Sequence, residues 1–123
     1  MEMIDNTIIP TPENEMMLNL VLAISDEITR MQNNLRNMDN TVRGHKQLTR
    51  SLERMRNHLL AAGFEVVDMV GMHYHEGMRV VASFTLDTSL PRGCQVISSV
   101  SKPQVNYQGK MIQVAQVIVS QNL

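Results

Sequence analysis

The chain has 123 residues, of which 43% are apolar and 19% are charged, and its formal net charge is −1. This length suits one small domain or two very small modules. The near-neutral balance argues against attraction of nucleic acid or an anionic membrane by overall charge. No apolar run is long enough for a membrane span, and we expect no secretory signal. The single cysteine, Cys94, excludes an internal disulfide and fits a reducing compartment.

The first half of the chain has a helical pattern. Residues 1–12 end in Pro-Thr-Pro and are expected to form a loose leader, followed by a helical module over residues 13–62. Spacings of four and three residues alternate along the first helix, which is typical of a coiled-coil seam. The apolar residues with this spacing are Met17, Val21, Ile24, Ile28, Met31, Leu35, Met38 and Val42.

The stretch RNMDNTVRGH, residues 36–45, interrupts this pattern with residues that favour caps and turns. The same spacing then resumes through Leu48, Leu52, Met55, Leu59 and Ala62, and Gly63 is a suitable helix stop. We therefore predict a helical hairpin of residues 14–38 and 41–62. One continuous kinked helix remains an alternative, because no proline forbids it.

Such a hairpin is too small to cover all of its apolar surface, so we expect two copies to associate into a dimeric four-helix bundle. Charge supports packing of the two helices on each other, since residues 1–42 contain seven acids and two bases, and residues 43–62 contain five bases and one acid. The predicted dimerisation residues are Met17, Val21, Ile24, Ile28, Met31, Leu35, Leu48, Leu52, Met55 and Leu59.

From Gly63 onward the apolar period is two. FEVVDMV, MRVVASFTL, CQVISSV and MIQVAQVIV are rich in β-branched residues and are bounded by turn signals. Gly109 is placed for a turn with positive φ between two strands. We predict an α+β fold in which the helical module is followed by a small, mainly antiparallel β domain over residues 63–123.

The stretch HYHEG raises the possibility of a metal site. His73 and His75 would project from the same face of a strand, but Glu76 would point to the other face. The remaining histidines, His45 and His58, lie in the helical half, and no zinc-binding motif is present. The alternative to a metal site is a solvated loop or strand edge whose histidines bind nothing specific, and we find no nucleotide-binding or hydrolase motif elsewhere in the sequence. A metal-dependent enzyme is therefore the weaker hypothesis for this stretch.

Two stretches resemble the GrpE family, the nucleotide exchange factors of DnaK-type chaperones. LERMRNHLLAAGFEVVD is similar to the end of the family's bundle helix and the strand after it, and GKMIQVAQVIVS is similar to its closing strands. The resemblance runs from about Leu18 to Ser120, and Tyr74 falls on an aromatic position of a family loop. Gln113 departs from the pattern, because it replaces a family arginine. The family's long N-terminal paired helix is expected to be absent.

The resemblance implies a cytoplasmic homodimeric co-chaperone that binds the ATPase domain of a DnaK-type chaperone and promotes ADP release. It implies no enzymatic reaction, no cofactor, and no nucleic-acid or membrane partner. The partner-binding positions that it implies are Tyr74, Lys110, Val119 and Gln47. The alternative is a dimeric adaptor that uses the same fold to bind another protein without exchange activity.

Overall fold

The computed structural model describes the backbone of residues 12–123 and the side chains of residues 14–123. The predicted leader, apart from Pro12, lies outside these residues. Helix α1 spans Pro12–Asn37 and helix α2 spans His45–Ala61. Between them, Gly44 has a φ of 89°, a left-handed conformation that ends the intervening turn. This break separates two helices and removes the alternative of one continuous helix.

Gly63 joins the helices to the strands. The backbone N–H of Gly63 donates to the carbonyl of Leu60 over 2.9 Å, and the φ of Gly63 is 96°. A Cβ at this position would lie 3.3 Å from the ring of Tyr107, so both the backbone conformation and the available space favour glycine. The helix therefore stops where the sequence predicted, and strand β1 begins at the next residue.

Six strands form two small sheets. In chain order they are β1 Phe64–Val67, β2 Val80–Leu86, β3 Cys94–Lys102, β4 Gln104–Tyr107, β5 Lys110–Gln113 and β6 Ala115–Asn122. Sheet 1 has the order β1-β4-β5 and is antiparallel. Sheet 2 has the order β2-β6-β3, in which β6 runs parallel to β2 and antiparallel to β3.

The chain passes twice between the sheets through single residues. Pro103 separates β3 from β4, and Val114 separates β5 from β6. The side chain of Pro103 is fully buried, so this connection lies inside the β region rather than in a surface loop. The hairpin between β4 and β5 turns through Gln108 and Gly109, which both have positive φ. Such short connections restrict independent movement of the two sheets.

Burial follows the expected period of two along β6, where Ala115, Val117 and Val119 are buried and the residues between them are exposed. These three residues pack with Ile97 and Val100 of β3 to form the core of sheet 2. A second apolar cluster joins Val21 of α1 to Phe64 of β1 and Val105 of β4, and a third joins the two helices through Ile28, Leu35 and Leu52.

The predicted helical hairpin of a dimeric four-helix bundle is wrong, although the α+β class agrees with the structure. The described residues form two helices and six strands in two small sheets, and the helices pack on the strands as well as on each other. Val21, for example, contacts Phe64 and Val105 rather than a bundle core. The heptad spacing correctly indicated an apolar stripe on each helix, but it did not indicate which element packs against that stripe.

Candidate interaction surface

A line of apolar side chains remains exposed on the two helices. On the α1 side its members are seven residues apart, close to two full turns, so they share one side of the helix. Ile24 and Met31 are 40% and 41% exposed, and on α2 Met55 is 37% exposed. We call this surface the apolar helix face, and it consists of Met17, Ile24 and Met31 of α1, Met38 just after α1, and Leu48 and Met55 of α2.

A groove of about 220 Å³ lies between the helices on this face. Its walls come from both helices, and the polar side chains that contribute to it are Asn34 and Ser51. None of the lining residues is ionisable: Met31, Asn34, Leu35, Met38, Leu48, Ser51, Leu52 and Met55. Such a groove is suited to binding apolar groups and offers no acid–base chemistry.

The structure divides the predicted dimerisation residues into two sets. Five are internal to the chain, because Val21, Ile28, Leu35 and Leu52 are buried and Leu59 packs against them. These five hold the helices to each other and to the strands, and Leu35 and Leu52 also contribute to the lining of the groove. The other five lie on the apolar helix face and are Met17, Ile24, Met31, Leu48 and Met55.

An arginine of each helix bonds to β1 or to the residue that follows it. Arg56 of α2 donates hydrogen bonds to the side chain of Gln32 in α1 and to the backbone carbonyl of Val66 in β1. Arg36 of α1 pairs with Asp68, just after β1, over 2.5 Å. These bonds orient the helical layer on sheet 1 and leave the apolar helix face on the outside.

The four predicted partner-binding residues are spread over the molecule. Lys110 begins β5 in sheet 1 and is exposed, and Gln47 is exposed in the first turn of α2. Tyr74 lies before β2, is half-buried, and packs on sheet 2 with its ring edge-on to Phe84 at 5.4 Å between centroids. Among the described contacts, none brings Tyr74, Lys110 and Gln47 together into a single pocket.

Val119 has a different environment from the other three candidates. It lies in the central strand of sheet 2 and is 0% exposed, paired with Ile97 on one side and Phe84 on the other. A partner could touch this side chain only if the sheet opened, so the structure assigns Val119 to the core. Alternation along β6 was visible in the sequence, but its two faces could not be distinguished there.

The histidine segment is attached to the edge of sheet 2. Gly71 donates to the carbonyl of Ile97 over 2.8 Å, Ile97 donates to Met72 over 2.8 Å, and Tyr74 donates to Gln95 over 3.0 Å. His73 forms an isolated bridge with Val96 as part of this pairing. Within the residues that the structure describes, no group of three or more His, Cys, Asp or Glu side chains could hold a metal ion. Backbone pairing therefore accounts for the geometry of this loop.

Two turn carboxyls are stabilised in their charged form. Hydrogen bonds from the Thr41 backbone and side chain lower the pKa of Asp39 below its ordinary value of 3.8. Bonds from the side chain and backbone of Ser89 lower the pKa of Asp87 in the same way. Asp39 lies in the turn between the helices and Asp87 directly follows β2. These hydrogen bonds fix the turn between the helices and the turn after β2.

In comparisons with known proteins, no family model matches the chain, and the curated proteins contain no significant match. Across residues 12–123, neither helix has the length and apolar character needed to cross a membrane. The functional interpretation therefore rests on the surfaces of the molecule and on the resemblance in its sequence.

Our sequence interpretation missed the exposed edge of sheet 2. Val81, Phe84 and Leu86 of β2 are all exposed, and Leu86 is 70% exposed. The signal was present in the sequence, because VVASFTL is a seven-residue run without a charge between Arg79 and Asp87. The sequence did not show that this strand lies at the edge of a sheet, because strand order depends on pairing between distant segments.

Proposed function

We propose that this chain is a GrpE-like nucleotide exchange factor, which acts as a homodimer, binds the ATPase domain of a DnaK-type chaperone and promotes ADP release. The observation that carries the proposal is the joint placement of the two family-like stretches. LLAAGFEVVD forms the end of α2, the Gly63 turn and β1, while GKMIQVAQVIVS forms β5 and β6, which connect the two sheets. The proposal implies a cytoplasmic protein.

An exchange factor needs no reaction chemistry of its own. It accelerates ADP release if it binds the open form of the ATPase domain more tightly than the closed form, because only a difference in affinity shifts a conformational equilibrium. A rigid binding surface serves this purpose, since a surface that adapts to both forms would lose the difference. The short passages through Pro103 and Val114 support such rigidity.

The homodimer is proposed on the apolar helix face. Exposed methionine and leucine side chains on two adjacent helices remove apolar area from water when a second copy covers them. A symmetric dimer would bring the same face of each copy together. Five of the predicted dimerisation residues lie on this face, whereas four others are buried and Leu59 is half-buried beneath it.

The dimer is tested by sedimentation of the wild type and of the variant Met31→Glu/Met55→Glu. At micromolar protein concentration we expect a dimer for the wild type and a folded monomer for the variant, because both residues line the exposed groove. Asn57→Glu is the matched control, since Asn57 is exposed on α2 and lies two residues, about 200° of helix rotation, from Met55. A variant that remains as dimeric as the control would contradict the proposed interface.

Exchange is tested by the release of labelled ADP from a cognate DnaK-type chaperone. We expect the wild-type protein to accelerate release and the chaperone's affinity for this protein to fall when ADP is added, because the two effects are thermodynamically linked. Unchanged release rates in the presence of a saturating, folded protein would exclude exchange activity.

A second candidate is a dimeric adaptor with the same fold. Gln113 favours it, because this residue replaces a family arginine and its amide is used internally, donating to Asp26 over 3.0 Å and to the carbonyl of Pro103 over 2.9 Å. The side chain is therefore directed to α1 and the sheet junction rather than to a partner. Binding to the ATPase domain without faster ADP release, or capture of a different protein on the β region, would support this alternative.

A further inference from the structure

The free edge of β2 is the feature that neither the proposed exchange activity nor the helix-face dimer uses. Sheet 2 has the order β2-β6-β3, so β2 and β3 are its two edges. Residues 71–74 cover the β3 edge through backbone hydrogen bonds. Among residues 12–123, β2 pairs with β6 along one edge, and no strand lies beside the other edge of β2.

One hydrogen bond to β6 shows which backbone N–H and C=O groups of β2 point away from the sheet. The N–H of Asp87 donates to the carbonyl of Gln121 in β6 over 2.9 Å. Backbone groups alternate sides along a strand, so the odd-numbered residues of β2 bond toward β6 and the even-numbered ones point away. The outward set consists of Val80, Ala82, Phe84 and Leu86.

The usual protections of an edge strand are missing inside β2. Natural edge strands are blocked by prolines, charged side chains, bulges or covering segments. VVASFTL contains neither proline nor charge, and its register with β6 is continuous from Val80 to Leu86. Charges stand only at its borders, with Arg79 before the strand and Asp87 after it. These two residues are equally distant from Ser83, the central residue of the strand.

We propose that β2 pairs with β2 of a second copy, antiparallel about a two-fold axis at Ser83. In this register Ala82 lies opposite Phe84 of the other copy, and Val80 lies opposite its Leu86. Both pairs use the outward-facing backbone groups, as a hydrogen-bonded antiparallel pair requires. Ser83 meets its own copy in a non-hydrogen-bonded pair, where backbones approach most closely and a small side chain fits.

Charge complementarity selects this occupant and this register. Position 79 of each copy lies opposite position 87 of the other, so the symmetric pair contains two Arg79–Asp87 contacts. Asp87 is held in its turn by Ser89, whose backbone N–H donates to the carboxylate over 3.0 Å. A register shift to the next outward-facing residue, two positions along the strand in either direction, separates Arg79 from Asp87 at both ends. The second copy thus supplies a neutral strand with the complementary charges at its ends.

This surface is separate from the apolar helix face, so the two contacts are tested independently. Two isologous contacts on one molecule join copies into an assembly larger than a dimer. The background Met31→Glu/Met55→Glu, a monomer at micromolar concentration, would form a dimer through the edge contact alone as the concentration approaches the millimolar range. Self-association of this variant therefore reports on the edge contact alone, independently of ADP release and of the helix-face contact.

The direct measurement is amide hydrogen exchange of the full chain in this background at low and high protein concentration. We expect the N–H groups of Ala82 and Phe84 to become protected as concentration rises to about 1 mM, where a small interface associates. The N–H groups of Ser83 and Thr85 point to β6 and should be protected at both concentrations. Equal exchange of Ala82 and Phe84 at both concentrations would overturn the proposal.

Charge reversal tests the register. Arg79→Asp places like charges opposite each other at both ends and should weaken self-association about tenfold, as should Asp87→Arg. An equimolar mixture of these two single variants should associate again, because each end then holds one acid and one base. Arg92→Asp, an equal change at an exposed arginine outside β2, should have no effect.

Failure of the mixed variants to associate, with both folded by circular dichroism, would overturn the register. Asp87→Arg removes the turn bonds to Ser89, so Ala82→Pro provides a second test. The N–H that this substitution removes faces away from β6. We expect Ala82→Pro to abolish self-association while the chain stays folded, and normal association of the folded variant would contradict the strand contact.

Discussion

The side-chain amide of Gln113 in β5 donates a hydrogen bond of 3.0 Å to the carboxylate of Asp26 in α1. The two residues are 87 positions apart in the chain, and Lys102 of β3 approaches the same carboxylate at 3.8 Å. Asp26 therefore joins helix α1 to a strand of each sheet, and this relationship leads to the first prediction.

Gln113→Ala should lower the free energy of unfolding by about 1–2 kcal/mol, because the half-buried Asp26 carboxylate loses a charge-assisted hydrogen bond. Chemical denaturation provides the measurement. Gln116→Ala is the control, since Gln116 is exposed on β6, and a change within about 0.5 kcal/mol is expected there. Equal losses for both variants would show that the Asp26 contact contributes nothing particular.

Ile28 and Ile24 provide a matched pair on one helix. Ile28 is 1% exposed and packs with Leu35 and Leu52, whereas Ile24 is 40% exposed on the apolar helix face. Ile28→Ala should destabilise the chain by about 2–5 kcal/mol through lost burial and a cavity. In dilute protein, Ile24→Ala should lower the free energy of unfolding much less than Ile28→Ala, and it should instead weaken the homodimer. Denaturation at a protein concentration below the dissociation constant of the homodimer separates the two effects. Similar losses of unfolding free energy for both variants would contradict the assigned helix orientation.

Gly63 and Gly44 both have left-handed backbones but different surroundings. A Cβ at Gly63 would meet the Tyr107 ring at 3.3 Å, whereas none of the described atoms lies within 4 Å of a Cβ at Gly44. Gly44→Ala should cost about 1 kcal/mol from backbone strain alone. Gly63→Ala should lower the free energy of unfolding further, because the added methyl group would also press against the ring of Tyr107. Thermal unfolding of both variants tests this order, and a smaller loss at Gly63 would contradict it.

The Asp39 and Asp87 turns should lose their stabilisation only in acid. Hydrogen bonds from Thr41 and Ser89 lower the pKa of each carboxyl below 3.8, so the folded state favours the ionised form. The contribution is present above pH 3.8 and is lost as the pH falls through the lower folded-state pKa. Carbon-detected NMR titration should place both midpoints below 3.8. Thr41→Val and Ser89→Ala should raise the respective midpoints, and unchanged values would exclude the hydrogen bonds as the cause.

Tyr74 and Lys110 test the proposed chaperone contact. Because the Tyr74 ring packs on Phe84, Tyr74→Ala would also disturb sheet 2, whereas Tyr74→Phe keeps the ring and removes the hydroxyl. We expect Tyr74→Phe/Lys110→Glu to weaken binding to the cognate ATPase domain by about 1–3 kcal/mol. Calorimetry measures the affinity, and Arg92→Glu is an exposed charge control. Unchanged affinity in the folded double variant would favour the adaptor.

Both helices, most strand residues and the main turns could be predicted from short-range pattern, whereas the division of MIQVAQVIV into β5 and β6 at Val114 could not. Spacings of three and four residues indicated both helices, a period of two indicated the strands, and Gly63 and Gly109 marked turns that do have positive φ. These signals are local, because the dihedral angles and apolar periodicity of an element are set by neighbours in the chain.

The tertiary structure decided which apolar residues are covered. Along α1, Val21, Ile28 and Leu35 form one line and Met17, Ile24 and Met31 form another, and both are equally apolar in the sequence. Strands and α2 bury the first line and leave the second exposed. The parallel pairing of β2 with β6, the burial of Val119 and the bond between Gln113 and Asp26 also join distant segments. Periodicity could not specify them, because it describes which face of an element is apolar and not what packs against that face.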